Sequence, residues 1–297
     1  MLKILNLYKY LFYFSGILLI AGIVSLSMYG LKLGIDFKGG TITELKFSQA
    51  VDTGKVKEVL NGVGLENAAV QTAGETGVII KTEALEKQKH DEMLKKLKSG
   101  VGEFAETRYE SIGPTVGTEL ARNALYQLIL VSLGIIFYIA YAFRKVQRPL
   151  TSWQFGISAI IALLHDLFIV LGIFSLLGYY YDIEIDSLFV TAMLTVLGFS
   201  VHDTIVVFDR VRENLKVYAG QSVEFVVNHS ITQTIARSLN TSLTVLFVLL
   251  AMLLFGGETI RYFVLALFIG VFTGTYSSIF VASPILVLWQ KWRQGKQ

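Results

Sequence analysis

The sequence predicts an α-helical polytopic membrane protein with six transmembrane helices and one small α+β domain between the first two. Three observations predict it. Of the 297 residues 53% are hydrophobic and only 16% charged, more apolar surface than a water-soluble domain of this length needs. The apolar residues gather into six runs, each long enough to cross ~30 Å of hydrocarbon. The charges gather elsewhere: residues 31–122 hold 13 Lys/Arg and 14 Asp/Glu and no such run.

Residues 1–10 form a tail carrying Lys3 and Lys9, and residues 11–30 are the first span. Its apolar core is too long for a cleaved signal peptide and no Ala-x-Ala site follows, so it is expected to be retained. The 31–122 segment then reads as strand (41–47), helix (53–63), strand (68–72), a turn at Gly74–Gly77, strand (78–82), helix (84–99) and strand (103–111). Val56, Val59 and Leu60 recur at helical spacing in its first helix, as do Leu85, Met93, Leu94 and Leu97 in its second. The order βαββαβ is the ferredoxin-like arrangement. Two motifs bracket this domain: Gly34-Ile-Asp-Phe-Lys-Gly-Gly-Thr41 and Ser111-Ile-Gly-Pro-Thr-Val-Gly117. Gly39-Gly40 lacks the Lys-Ser or Lys-Thr pair of a phosphate loop, so both motifs read as stiff corners.

The remaining spans are 123–143, 154–178, 187–208, 238–256 and 262–289, with a tail at 290–297. Lys and Arg set the orientation. Lys3 and Lys9, then Arg144, Lys145 and Arg148, then Arg210, Arg212, Lys216 and Arg237, and finally Lys291, Arg293 and Lys296 fall on one side under six spans. The 179–186 loop, with Asp182, Glu184 and Asp186, falls on the other. This is expected to place both termini in the cytoplasm and the 31–122 domain outside. Val223, Val226, Val227, Ile231 and Ile235 suggest that 209–237 is a cytoplasmic amphipathic segment lying on the membrane surface; a simple extension of the fifth span accounts for the same spacing. In the sixth span Gly270, Gly274, Ser278 and Ala282 form a small-residue stripe that lets helices approach closely.

Several chemistries are excluded. There is no cysteine, so there are no disulfides or thiolate sites. The four histidines lack zinc-site spacing, and a net charge of +3 does not point to nucleic acid. No cofactor is implied, and no nucleophile–base set supports a hydrolytic enzyme. What stands out are ionisable groups at membrane depth. An ionised carboxylate at the bilayer centre is disfavoured by ~2.5–3.5 kcal/mol on insertion scales, so Asp203 in the fourth span needs a partner, a water path or a proton. The alternative is that it reaches the cytoplasmic headgroups. Asp203 lies ~24 Å from Ser187 along its helix, and Arg237 ~28 Å from Gly256 along the next. The two reach nearly the same depth and are expected to pair if those spans are adjacent. A nearby guanidinium favours the ionised acid and burial opposes it, so their separation would decide whether a proton is held. Asn240, Thr241 and Thr244 extend a polar stripe from Arg237. Ser200 lies behind Asp203, and His202 beside it points ~100° away. Asp166, ~18 Å from Gln154, could extend the path with His165 or simply bond a neighbouring helix.

Here the residues resemble one family. Asp203-Thr-Ile-Val-Val-Phe-Asp-Arg-Val-Arg-Glu-Asn214 is similar to the signature of the SecF family, the smaller half of the bacterial SecDF protein-export complex and part of the RND superfamily. The likeness continues through the two domain-bracketing motifs, through Ser230-Ile-Thr-Gln-Thr-Ile-Ala-Arg-Ser-Leu-Asn-Thr-Ser242 and through Ala282-Ser-Pro284. The resemblance implies an RND-type half of six spans with one extracytoplasmic domain. It implies a SecD partner, a place in a bacterial inner membrane beside the SecYEG channel and the SecA motor, and use of the proton-motive force to draw a translocating preprotein outward. It also implies that Asp203 and Arg237 serve proton passage, with His165-Asp166 matching a pair in the third span. His202 departs from the family pattern. Two other classes remain: an RND-type lipid or small-molecule exporter subunit, and a passive channel-assembly factor.

Overall fold

The structure, a computed structural model, describes residues 8–144, 146 and 149–294. Lys3, Lys145, Arg148 and Lys296 of the charge count lie outside them, as do parts of both tails. The chain forms two compact units: Leu33–Leu125, and the helices on either side of it.

In the first unit the expected alternation becomes β1 (Gly40–Phe47), α3 (Thr53–Asn61), β2 (Ala69–Ala73), β3 (Gly77–Thr82), α4 (Lys87–Gly100) and β4 (Phe104–Ile112), after a one-turn helix α2 (Ile35–Lys38). The sheet order is β2-β3-β1-β4 with every neighbouring pair antiparallel, the ferredoxin-like order. Asp52 caps α3 by accepting from Gly54 N. Val56 and Leu60 on α3 and Met93 and Leu97 on α4 are fully buried against Leu45 and Ile80 of the sheet. α4 begins at Lys87 rather than residue 84, because Leu85 is spent on the core and on an N–H bond to Thr41 Oγ1.

The two bracketing motifs meet. Gly39 and Gly40 have φ of +79° and +146°, conformations open to glycine. A Cβ on Gly39 would lie 2.7 Å from Pro114 Cα, and one on Gly117 2.7 Å from Gly39 N. Both motifs are glycine-rich because they pack backbone on backbone.

Six helices among the described residues are long and apolar enough to cross a membrane. They are α1 (Tyr8–Tyr29), α5 (Pro114–Ala142), α6 (Ser152–Tyr181), α7 (Ser187–Val217), α8 (Val223–Phe255) and a sixth that is broken. The sixth runs as α9 (Arg261–Ser277), a π turn (Ser278–Ala282) and α10 (Ser283–Gln294). Its break has a local cause. Pro284 cannot donate a backbone hydrogen bond and its ring crowds the preceding turn, so the ladder slips by one residue and Ser283 Oγ bonds Ser278 O at 2.9 Å. Such π turns gather at functional sites.

α7 packs on α8 and α9, α6 on α7 and α9, and α1 on α6. Close approach is built from glycine here too: a Cβ on Gly172 of α6 would sit 2.3 Å from Gly22 Cα of α1, and one on Gly270 of α9 2.1 Å from Val196 of α7. The expected stripe of small residues is therefore a packing seam. The separate surface helix expected at 209–237 is not formed. α7 continues to Val217, α8 starts at Val223, and Val223, Val226, Val227 and Ile231 are buried in the same core as Phe155, Phe208 and Leu215. The apolar spacing that suggests a membrane-surface helix is the inward face of the first turns of α8. Asn214 donates to Ser230 Oγ and Gln233 Oε1, and Arg210 Nε to the same Gln233 oxygen, fastening these two extensions together.

Candidate functional site

α6, α7 and α9 converge on Asp166, which is 1% exposed. Ser200 Oγ of α7 and Ser277 Oγ of α9 both donate to Asp166 Oδ2, at 2.6 and 2.7 Å. His165 Nδ1 lies 3.0 Å from Oδ1. One carboxylate thus joins three helices, and its acceptor sites are well filled. Below it Thr204 Oγ1 donates to Ser200 O and meets Ser278 Oγ at 2.9 Å, while Ser278 also donates to Gly274 O. The polar ladder therefore runs from Asp166 along α7 into the π turn. The His165 ring stacks near Tyr276 at 6.4 Å, and its Nε2 is buried without a hydrogen-bond partner among the described residues.

Asp203 is one turn further along α7 and contrasts with Asp166. It too is buried, at 6% exposure, but its Oδ2 makes no hydrogen bond among the described residues. Ser238 of α8 lies against the Asp203 side chain, yet its Oγ is likewise buried and unbonded. The two lie close without reaching hydrogen-bond geometry, so a small shift of either side chain would let the Ser238 hydroxyl donate to the carboxyl in an interface where each unsatisfied polar group is costly. Ser242 on the next turn of α8 is better served, accepting from Thr275 Oγ1 at 2.6 Å.

The expected pairing of Asp203 with Arg237 is not made within this chain. α7 and α8 are adjacent, as that pairing requires. But α8 turns Ser238 towards α7 and Ser242 towards α9, and the ~100° step between successive helical residues carries Arg237 onto the exposed face. Asn240, Thr241 and Thr244 share the exposed side, with Thr241 Oγ1 bonded back to Arg237 O. His202 is exposed as well, away from the Asp203 side chain's burial site. Ser200 belongs to the Asp166 cluster instead of backing Asp203. Ser277 and Ser238 do not stand out in the sequence. Their signal was present in the serines of the Arg237–Ser242 stretch and the Ser277-Ser278 pair beside the small-residue stripe, where a hydroxyl passes for a small packing residue.

Fold and site together define a multi-pass membrane protein of the transport kind, with polar groups held between its spans and a ferredoxin-like domain after the first of them. Similarity to known proteins makes this particular. The family model "Protein export membrane protein SecD/SecF, C-terminal" matches residues 92–292, and the "SecD/SecF GG Motif" matches residues 24–51. A protein translocase subunit SecF of Thermobaculum terrenum is 48% identical, the match covering 95% of this chain and 92% of the relative. Another from Anaerolinea thermophila is 39% identical over 96% and 94%. A crystal structure of SecDF, a translocon-associated membrane protein from Thermus thermophilus, superposes with a TM-score of 0.84 at 34% identity over 96% of this chain. A SecDF structure in a super-membrane-facing form gives 0.71 at 33% identity over 98%. This chain spans 38% and 39% of those two SecDF chains. The chain belongs to the SecF family of protein-export membrane proteins.

Proposed function

We propose that this chain works with a SecD partner as half of a proton-driven device. In this reading it helps draw preproteins outward through a SecYEG channel after SecA has pushed them in. Asp203 is the group that takes and gives the proton. Arg237, with Asn240, Thr241 and Thr244, faces the partner half. Asp166, held by Ser200 and Ser277, is the fixed point around which α6, α7 and α9 keep their places.

The observation that carries this reading is the contrast between the two carboxylates. Asp166 accepts from two serine hydroxyls and lies 3.0 Å from His165 Nδ1, whereas Asp203 keeps a buried oxygen with no hydrogen-bond partner among the described residues. An unsatisfied buried carboxyl oxygen is where a proton or a water changes the energy most. The exposed Arg237 supports the second part. A guanidinium at membrane depth is expensive against lipid, so a helix presenting it with three further polar side chains fits a protein neighbour. The SecDF structures, in which a SecF-like part is two-fifths or less of the chain, supply the kind of neighbour expected. Asn214, Gln233 and Ser230 stiffen the inner ends of α7 and α8, so a proton at Asp203 would act on a rigid pair.

The energy available is adequate. One charge crossing 100 mV yields ~2.3 kcal/mol, enough to bias a two-state rearrangement of the outer domain of a few kcal/mol. Both termini lie in the cytoplasm in this reading, with the 33–125 unit outside an inner membrane. The test is gradient-dependent export of a secreted substrate into inverted vesicles, with Asp203→Asn against wild type. Export in the variant should fall to the level of vesicles lacking the chain; export that still responds to an uncoupler as wild type does overturns the reading.

A further inference from the structure

At the end of the bundle where α5 hands over to α6, a groove of about 470 Å³ opens on the outer surface of the helices. Its two regions differ. The apolar lining comes from both helices and the turn between them: Ile136 and Ala140 of α5, the buried Leu150, and Ile157 and Ile160 of α6 beside Gly156. The polar lining lies at the turn: Arg144, Thr151, Ser152 and the indole of Trp153. Among the described residues no further membrane span lines it. α5 is mostly exposed along its length, and Trp153 is 79% exposed.

We propose that this groove holds one anionic phospholipid, its phosphate at Arg144 and an acyl chain along Ile136, Ala140, Ile157 and Ile160. Charge complementarity argues for the headgroup. The 143–152 connection carries three bases, Arg144, Lys145 and Arg148, and no acid. Among the described residues Arg144 has no carboxylate partner. Its guanidinium lies 3.6 Å over the Tyr141 ring, and one N–H donates to Tyr141 O. That contact aligns the fork and leaves further N–H donors for a phosphate, which the planar group binds through two oxygens. Basic pockets between spans on the positively charged side of a bilayer take acidic headgroups by this chemistry. The indole of Trp153 fits the headgroup level, where its ring is apolar and its N–H polar. Gly156 argues for the chain. A Cβ there would meet nothing within 4 Å, so no close helix contact requires this glycine, and its absent side chain is what keeps the groove floor open.

The test uses Trp153 as reporter in the full chain, with Trp289 and Trp292 replaced by Phe, in phosphatidylcholine vesicles. Phosphatidylglycerol or phosphatidylcholine with brominated chains is added in steps. Brominated phosphatidylglycerol should quench Trp153 at roughly fivefold lower mole fraction than brominated phosphatidylcholine, the effect of about one basic contact. Arg144→Gln should remove that preference while leaving quenching by both. Gly156→Leu, which fills the floor without touching the charge, should weaken quenching by both. Equal quenching by the two lipids in the parent protein overturns the proposal, as does a preference that survives both variants. Loss of the preference on adding inorganic phosphate, with Gly156→Leu inert, would make this a free-anion site and overturn it too. So would protection of Trp153 from both lipids once a SecD subunit is co-reconstituted, because a protein helix would then fill the groove.

Discussion

Two buried aspartates lie about one helical turn apart along the packed face of α6 and α7, and their surroundings give them different work. Asp166 accepts from Ser200 and Ser277 and meets His165. Removing one hydroxyl leaves a buried carboxylate oxygen short of a donor, a change worth about 1–3 kcal/mol. Ser277→Ala is therefore expected to lower the melting temperature of the detergent-solubilised protein while leaving proton flux through the reconstituted complex measurable. Asp203→Asn should do the reverse. Its Oδ2 has no hydrogen-bond partner among the described residues, and the neutral amide is less costly to bury there than an ionised carboxylate. Its melting temperature should be at or above wild type, and flux should be lost. A Ser277→Ala protein that melts as wild type does would show that the Asp166 cluster is not the anchor described here.

The contrast between these two residues was only partly legible in the sequence. Their depths followed from a rise of ~1.5 Å per residue, and both are buried as depth suggested. Depth says nothing about which way a side chain faces, however. A pairing of Asp203 with Arg237 satisfied the axial arithmetic and failed on azimuth, because α8 gives its inward face to Ser238 and Ser242. Arg237 is one residue, and so ~100°, off that face.

At the scale of the element, helix contacts rest on missing side chains. Gly172 and Gly22 let α6 and α1 touch backbone to backbone, and Ser25 Oγ donates to Ser175 Oγ at 2.9 Å on the same seam. Gly172→Val cannot be absorbed there, since the obstructing atoms at 2.3 Å are backbone. The variant should weaken the attachment of α1, read as lost disulfide formation between cysteines placed at Ser25 and Ser175. Formation at the wild-type rate would contradict the packing described. In the ferredoxin-like unit, Leu60→Ala empties a fully buried site between α3 and the sheet. It should cost about 2–5 kcal/mol, measured as faster amide exchange in β1 and β3 of the full chain. These elements were readable because period-two and period-3.6 patterns are strong in short strands and half-buried helices. The 209–237 stretch misled because an amphipathic face looks the same whether it meets lipid headgroups or, as here, the core shared by α6 and α7. The π turn escaped because a proline near a helix end reads as a boundary, while here the chain absorbs Pro284 by slipping its ladder.

At the scale of the whole molecule the proposed function calls for a second membrane half. Its exposed stripe of Arg237, Asn240, Thr241 and Thr244 on α8 suits another polar helix better than lipid. A cysteine at Asn240 should therefore cross-link to SecD in membranes, and labelling of that cysteine by a lipid-soluble maleimide should drop when SecD is co-expressed. Undiminished labelling would mean that α8 turns this stripe to the bilayer.

The central claim is that the unpartnered oxygen of Asp203 is where the proton acts. Proton flux into vesicles holding the chain with its SecD partner and a pH-sensitive dye tests this most directly. The account predicts that an imposed potential drives acidification in wild type and in Ser277→Ala, and that Asp203→Asn falls to the rate of empty vesicles. Flux through Asp203→Asn at the wild-type rate would contradict it.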